Sequence, residues 1–322
     1  MTRICVLDDW QEIARASADW GALEQRAAIV FLSRPLQGED EAAAVLRDFD
    51  IILAMRERTA FPASLVARLP RLKMFNLTGK RAPSIDLAGM AGAGVTVCYT
   101  TGGETGAATA ELALALMLAA ARNIPSAEQA LRAGRFQRGT VPGIELSGKV
   151  LGLLGLGRLG QRMAGYGAAL GMTVLAWSQN LTPDAASAGG ASYASKQDLL
   201  AQSDVVSLHL VLSERTRGIL AAEDLAQMKD GAILVNTSRG PLIDEAALLD
   251  ALQRGRIFAA LDVYGEEPLP PGHPLLAAPN TVLTPHLGYG SAETFATFYT
   301  QSIENALAFL DGAPIRLLYP RS

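Results

Sequence analysis

Apolar residues along this chain gather in short, β-branched runs separated by stretches of helical period. Arg3–Leu7, Ala28–Phe31, Ile51–Ala54, Lys73–Leu77 and Val95–Cys98 read as strands, with helix-like segments around 42–47, 64–69 and 85–91 between them. Strands that alternate with helices predict a parallel, doubly wound sheet. Thr101-Gly-Gly-Glu-Thr-Gly106 then interrupts the pattern as a flexible break. An Ala/Leu-rich helix is expected from about Thr109 to Arg122, with Pro125 after it. A second series starts at Lys149, with strands at Val150–Leu154, Thr173–Trp177, Val205–His209, Ala232–Asn236, Phe258–Leu261 and Thr281–Leu283. Six strands with intervening helices match the dinucleotide-binding fold. A last helix, about Glu293 to Leu310, carries Phe295, Phe298, Ile303, Leu307 and Leu310 on one face, and its place after the final strand suggests a return to the first domain. The expected class is α/β, with two doubly wound parallel-sheet domains. Residues 1–101 and 290–322 form one, and residues 102–289 the other.

A length of 322 residues suits two domains rather than one core. At 49% apolar and 19% charged, the composition is that of an ordinary soluble enzyme. The net charge is -4 and no Lys/Arg run occurs, so nucleic acid is not an expected partner. The longest strongly apolar stretch, Leu112–Ala121, falls short of the ~20 residues a bilayer needs. The N-terminus enters a strand pattern at once, without a signal-peptide pattern. Cys5 and Cys98 both lie in apolar strand-like runs and read as buried thiols in a reducing compartment. The cytoplasm is the expected location, and no membrane partner or metal site is expected.

Gly155-Leu-Gly-Arg-Leu-Gly160 follows the strand at 150–154 and opens a helix over Gln161–Ala169. In that context a GxGxxG string is a dinucleotide fingerprint. Gly155 permits the tight turn, Gly157 lets the backbone approach a pyrophosphate, and Gly160 lets helix and strand pack closely. The helix N-terminus then offers free N–H groups to the anion. The partner of the adenosine ribose is expected ~20 residues on. There Trp177 is followed by Ser178-Gln179-Asn180, so no acid is present for a 2′-hydroxyl. No Arg or Lys occurs between Arg162 and Lys196 to meet a 2′-phosphate. The balance favours NAD, with NADP left open.

His286, in Thr284-Pro-His-Leu-Gly288, lies just past a strand end, where ligands sit in open α/β sheets. Histidine is the natural proton carrier near neutral pH, and a ketone receiving a hydride needs a proton on its oxygen. Glu267, in Asp262-Val-Tyr-Gly-Glu-Glu-Pro268, is placed to hydrogen-bond the imidazole and favour its charged form. Arg239, in Asn236-Thr-Ser-Arg-Gly240, also follows a strand, and its planar fork suits a carboxylate. His209 either lines the nicotinamide side or caps its strand. His273 sits in a Pro-rich loop and is expected to be exposed. Arg56 and Arg58, in Met55-Arg-Glu-Arg-Thr59, are either anion-binding residues or solvated loop charges.

With these motifs the chain resembles the D-isomer-specific 2-hydroxyacid dehydrogenases, from its first strand to about residue 312. The glycine loop, Asn236–Asp244, Leu261–Pro268, Thr284–Gly288 and the Thr109-Ala-Glu111 helix opening carry the resemblance. It implies a flavodoxin-like substrate domain beside a Rossmann domain. It implies that Arg239 binds and polarises substrate, that Glu267 tunes the histidine, and that His286 is the acid/base. By the same resemblance Arg158 and Leu159 contact the pyrophosphate, while Thr237, Ser238 and Arg239 line the nicotinamide side. Asp262 holds the carboxamide, and Thr109, Ser178, His286 and Gly288 join the cofactor contacts. Backbone N–H groups around Leu77-Thr78-Gly79 take the substrate carboxylate. A homodimer built through the dinucleotide domain is implied as well.

Met55–Thr59 looks like the stretch that meets the substrate phosphate in phosphoglycerate dehydrogenases. Three departures from the family pattern stand out: Ser178 in place of the ribose acid, Val211 where proline is usual, and a longer loop at Lys80-Arg-Ala-Pro-Ser84. The leading expectation is hydride transfer between NAD(H) and a small 2-oxo or D-2-hydroxy acid. The alternative is an NAD-sensing binding protein on this fold, like the C-terminal-binding-protein corepressors. Those keep the same three residues.

Overall fold

The computed structural model describes residues 1–80, 83–102 and 106–318. Part of the expected break, residues 103–105, and part of the longer loop, residues 81 and 82, lie outside the described residues. The chain divides into two compact units, residues 1–104 with 290–322 and residues 105–289.

The first unit holds β1 (Thr2–Leu7), β2 (Ala27–Phe31), β3 (Ile51–Ala54), β4 (Met74–Thr78) and β5 (Thr96–Thr100), all parallel, in the order β2-β1-β3-β4-β5. Every residue of β3 and β4 is buried. Strands covered on both faces read as continuous apolar runs, which is why they stand out in the sequence. Chain order reverses between β1 and β3, so a crevice opens outside their carboxyl ends. The last helix, Ala292–Leu310, buries Phe295, Phe298, Ile303 and Ala306 and packs on β4 and β5. Its buried polar groups are matched to the strands. Asn76 donates to Ser302 Oγ at 2.8 Å, and Asn305 donates to Asn76 Oδ1 at 2.7 Å and to the Tyr99 carbonyl at 2.9 Å.

The second unit holds β6 (Val150–Leu154), β7 (Thr173–Trp177), β8 (Ser192–Tyr193), β9 (Val205–Leu208), β10 (Ala232–Asn236), β11 (Ile257–Leu261) and β12 (Thr281–Leu283). All are parallel, in the order β12-β11-β10-β9-β6-β7-β8. The sheet therefore has seven strands, not the expected six. The addition is β8, a two-residue edge strand whose residues are both exposed, so it leaves no apolar signal. The order reverses between β6 and β9, the switch point at which a dinucleotide fold binds its ligand.

The Ala/Leu-rich helix spans Ala107–Ala121. Pro125 does not end the helical region. It lies in the first turn of a second helix, Ile124–Arg132, where its missing N–H is no loss. A segment without regular structure follows and is tied back by Ile144 N–H to the Ala121 carbonyl at 2.8 Å. Ile124, Leu131, Phe136 and Val141 along this stretch are exposed. Among the described residues no single helix is long and apolar enough to cross a membrane.

Candidate active site

The glycine loop turns from β6 into the helix Arg158–Ala169. Gly155 has φ +103°, and a side chain there would meet the His209 carbonyl oxygen at 2.7 Å. A side chain on Gly160 would start 2.1 Å from the Gly155 oxygen, so helix and turn touch backbone to backbone. Nothing lies within 4 Å of the space a Gly157 side chain would take. Open space at the loop tip, facing a helix N-terminus, suits a pyrophosphate. Arg158 and Leu159 are the first residues of that helix. Ser178, half-buried just past β7, stands where the ribose acid is expected.

His286 and Glu267 leave different loops and meet at 2.5 Å, Nδ1 to Oε2. The other Glu267 oxygen accepts the Tyr264 N–H at 3.0 Å, which fixes the carboxylate. Both side chains are about four-fifths buried, so the pair is only partly screened by solvent. His286 sits at φ +56°, a conformation that needs support from its surroundings. Asp262 supplies it. Its carbonyl accepts the His286 N–H at 2.8 Å, and its carboxylate accepts the Leu287 and Gly288 N–H groups at 2.7 and 2.8 Å and the Thr284 hydroxyl at 2.7 Å. Burial raises the Asp262 carboxyl above the usual carboxylate range, against these bonds. The residue expected to hold a carboxamide is therefore first a clamp on the histidine loop. Thr109 and Gly288 adjoin it: a side chain on Gly288 would meet Asp262 Oδ2 at 3.1 Å and the Thr109 methyl at 3.2 Å.

Arg239 follows β10, its Nη1 donating to the Ser238 carbonyl at 2.5 Å. Asn236 shapes the turn, donating to the Arg239 carbonyl and accepting the Ser238 N–H at 3.0 Å, while Ser238 Oγ donates to the Leu208 carbonyl. His209 is half-buried and its Nδ1 fully so. Its Nε2 lies 2.9 Å from Ser207 Oγ. Burial lowers the imidazole to about 4, so it is neutral at pH 7 and cannot serve as the acid. His273 is not exposed as expected. Its Nδ1 caps a short 3-10 turn at Leu275 N and its Nε2 lies 3.2 Å from Glu245, with 17% of the side chain accessible.

In the first unit the Thr78 hydroxyl accepts the Arg56 N–H at 3.0 Å. Gly79, at φ +88°, leaves room for the Arg56 side chain, whose Nη1 lies 2.6 Å from where a Gly79 side chain would start. The Gly79 N–H donates to the Thr100 carbonyl at 3.1 Å. It is thus used within the sheet. Arg58 lies 4.4 Å over the Trp10 ring.

Residues 114–288 match the model of the D-isomer specific 2-hydroxyacid dehydrogenase NAD-binding domain. A glyoxylate reductase of Aeropyrum pernix is 41% identical over 256 residues, 77% of this chain and 76% of that protein. The chain belongs to the D-isomer specific 2-hydroxyacid dehydrogenase family. A D-3-phosphoglycerate dehydrogenase of Archaeoglobus fulgidus is 37% identical over 82% of this chain but only 50% of its own length. The chain therefore spans about half of such relatives. The crystal structure of a phosphoglycerate oxidoreductase from Vibrio cholerae O395 superposes with a TM-score of 0.90, at 36% identity, over 97% of this chain and all of that one.

As a member of this family the chain is an NAD(H)-dependent oxidoreductase of hydroxy acids. The second unit has features that fit the cofactor. His209 Nδ1 and Thr237 Oγ1 are buried without a hydrogen-bond partner, and they follow the paired residues Leu208 and Asn236 at the carboxyl ends of β9 and β10. An unmet buried polar group costs about 1–3 kcal/mol. The two lie past the ends of the adjacent strands β9 and β10, next to the switch point, and a bound cofactor would supply the missing partners. Sequence reasoning missed Tyr264 and Thr284, which brace Glu267 and Asp262. Contacts of this kind, made by a main-chain N–H or by a hydroxyl to a residue 20 or more positions away, have no residue-type signature.

Proposed function

We propose that the chain reduces a small 2-oxo acid to the D-2-hydroxy acid, or runs the reverse reaction, with His286, Glu267 and Arg239 as its catalytic group. The reading rests above all on the 2.5 Å Glu267–His286 contact in a loop clamped by Asp262. When bound, NADH would supply the hydride for the 2-oxo carbon. Glu267 holds Nδ1, which leaves Nε2 of His286 to deliver the proton to the carbonyl oxygen. Arg239 binds the substrate carboxylate and polarises the carbonyl. In oxidation the same atoms take the proton back.

Residues 105–289 form the dinucleotide unit in this reading, and the first unit holds the substrate side. Thr78 and Gly79 shape that side, and Arg56 meets an anion at the far end of larger substrates. The cytoplasm is the proposed location. A homodimer is proposed through the second unit, supported by the exposed Ile124, Leu131, Phe136 and Val141. Exposed apolar clusters of this kind commonly mark interfaces.

NADH oxidation with glyoxylate, hydroxypyruvate and pyruvate tests the reading, with NADPH run in parallel. Turnover of at least one acid that is lost in His286→Gln is the expected result. A folded protein that binds NADH and turns over none of them would favour the binding-protein alternative.

A further inference from the structure

Asp8 has no place in the chemistry assigned so far, and its setting is unusual. It lies one residue past β1, at the carboxyl end of the strand and beside β3, where the order of the first sheet reverses. Its φ is +65°, in the left-handed region that non-glycine residues avoid. Only 4% of it is exposed. Both carboxylate oxygens accept from Thr59: the Thr59 N–H donates to Oδ2 at 3.1 Å and its hydroxyl to Oδ1 at 2.9 Å.

Thr59 closes the loop that carries Arg56 and Arg58. That loop is gripped at two further points, since Arg58 stacks on Trp10 and Arg56 lies against Gly79. Burial pushes the Asp8 carboxyl up to about 6, opposed by the Thr59 hydrogen bonds, the Arg58 charge and the Trp10 indole. Cys5 on the same strand and Asp9 next to it are titratable neighbours. The Asp9 carboxylate accepts the Ile13 and Ala14 N–H groups. A buried carboxylate in a strained conformation works against folding and persists where a site needs it.

The geometry points to Asp8 as a positioning residue that sets substrate preference. Its carboxylate pins Thr59, and so holds the arginine-bearing loop ready for an anion at the far end of the substrate. The inference rests on the reductase reading and goes beyond it by naming what fixes the loop. A carboxylate can accept from both Thr59 donors at once. An asparagine offers a single acceptor oxygen and turns an N–H toward the second donor. Substrates without a distal anion do not call on the loop and are indifferent to the change.

The test compares wild type, Asp8→Asn, Thr59→Val and Thr59→Ser with NADH and either glyoxylate or 3-phosphohydroxypyruvate. It is run at pH 8, where both Asp8 and the phosphate are ionised. Asp8→Asn and Thr59→Val are expected to raise KM for 3-phosphohydroxypyruvate at least tenfold relative to glyoxylate, with kcat little changed. Thr59→Ser keeps both donors and should match the wild type. If Asp8→Asn does not fold, the two Thr59 variants decide alone. Equal effects on the two substrates, no effect, or a wild type that reduces glyoxylate but not 3-phosphohydroxypyruvate would overturn the inference and leave the reductase reading intact. A wild type that reduces neither but turns over hydroxypyruvate or pyruvate also overturns the inference alone, whereas one that reduces no acid overturns the reductase reading, and the inference falls with it.

Discussion

A side chain on Gly240 would begin inside the backbone of Tyr264, 2.0 Å from its carbonyl carbon and 2.1 Å from its oxygen. The arginine turn and the Glu267 loop are therefore in direct backbone contact. The spacing between Arg239 and the Glu267–His286 pair is set by main chain, which side-chain motion cannot relax.

Gly240→Ala is expected to push these two loops apart. Overpacking of this kind costs about 1–3 kcal/mol in stability. Catalysis should suffer more, with kcat/KM falling at least tenfold, because the site depends on sub-ångström placement. Thermal unfolding and steady-state kinetics on the same preparation check this. A variant with normal kinetics would mean the loops have room to adjust.

Arg239→Ala should lower kcat/KM for every 2-oxo acid while leaving the fold intact. A charged hydrogen bond left unmade costs about 1.5–3 kcal/mol, and more where it strengthens in the transition state. The half-buried guanidinium follows β10 on a turn and donates to its neighbour's carbonyl, outside the strand ladder that holds the sheet. Turnover close to wild type at saturating substrate would remove Arg239 from the reaction.

Glu267→Gln should shift the pH profile of reduction toward acid. Reduction consumes the proton on His286, and the amide cannot stabilise the imidazolium as the 2.5 Å carboxylate does. The upper limb of kcat/KM against pH should move to lower pH, with oxidation showing the opposite advantage. Superimposable profiles for the two proteins would show that Glu267 only holds the Tyr264 turn.

His209 gives the fold an acid sensitivity of its own. Its imidazole is lowered to about 4 in the native protein from 6.5, so between these values the unfolded chain binds a proton that the native chain refuses. The sign follows: this contribution to stability is whole above pH 6.5 and is lost as pH falls toward 4. His209→Gln should flatten that part of a stability-against-pH curve. A wild-type curve with no fall in this window would mean that the ring is not buried in solution.

The cofactor prediction concerns Ser178. No Arg or Lys occurs between Arg162 and Lys196 to meet a 2′-phosphate, so NADH should be preferred over NADPH, but with no acid at this position the margin should be modest. Ser178→Asp adds a bidentate acceptor for the ribose and repels phosphate, sharpening the preference by about 1–3 kcal/mol. The ratio of kcat/KM values for the two cofactors measures it in both proteins. Strong NADPH preference in the wild type would point to cations outside the Ser178 loop.

The strands were readable because their residues are buried on both faces and so form unbroken apolar runs, as in β3 and β10. β8 was not, because Ser192 and Tyr193 are exposed and pair along one edge only. The helix Ile124–Arg132 was also missed, since a proline after a helix reads as a stop and here it starts the next one. At the site, residue type and position after strand ends singled out Arg239, Glu267 and His286. The same reasoning left His273 in solvent, because nothing in a Pro-rich loop announces a partner as distant in sequence as Glu245. The use of Gly79 N–H within the sheet was equally invisible, being a matter of backbone geometry.

The buried amide of Asn76 is completed by Ser302 and Asn305, 226 and 229 residues further along the chain. On a growing polypeptide the first sheet emerges early but keeps an unsatisfied polar group and a bare apolar face. The whole second unit must be made before the covering helix arrives. Synthesis order and assembly order are thus inverted: the part of the molecule translated first is the part finished last. In the interval the β4–β5 face lacks its cover, and exposed apolar surface of this kind invites capture by chaperones or by another nascent chain.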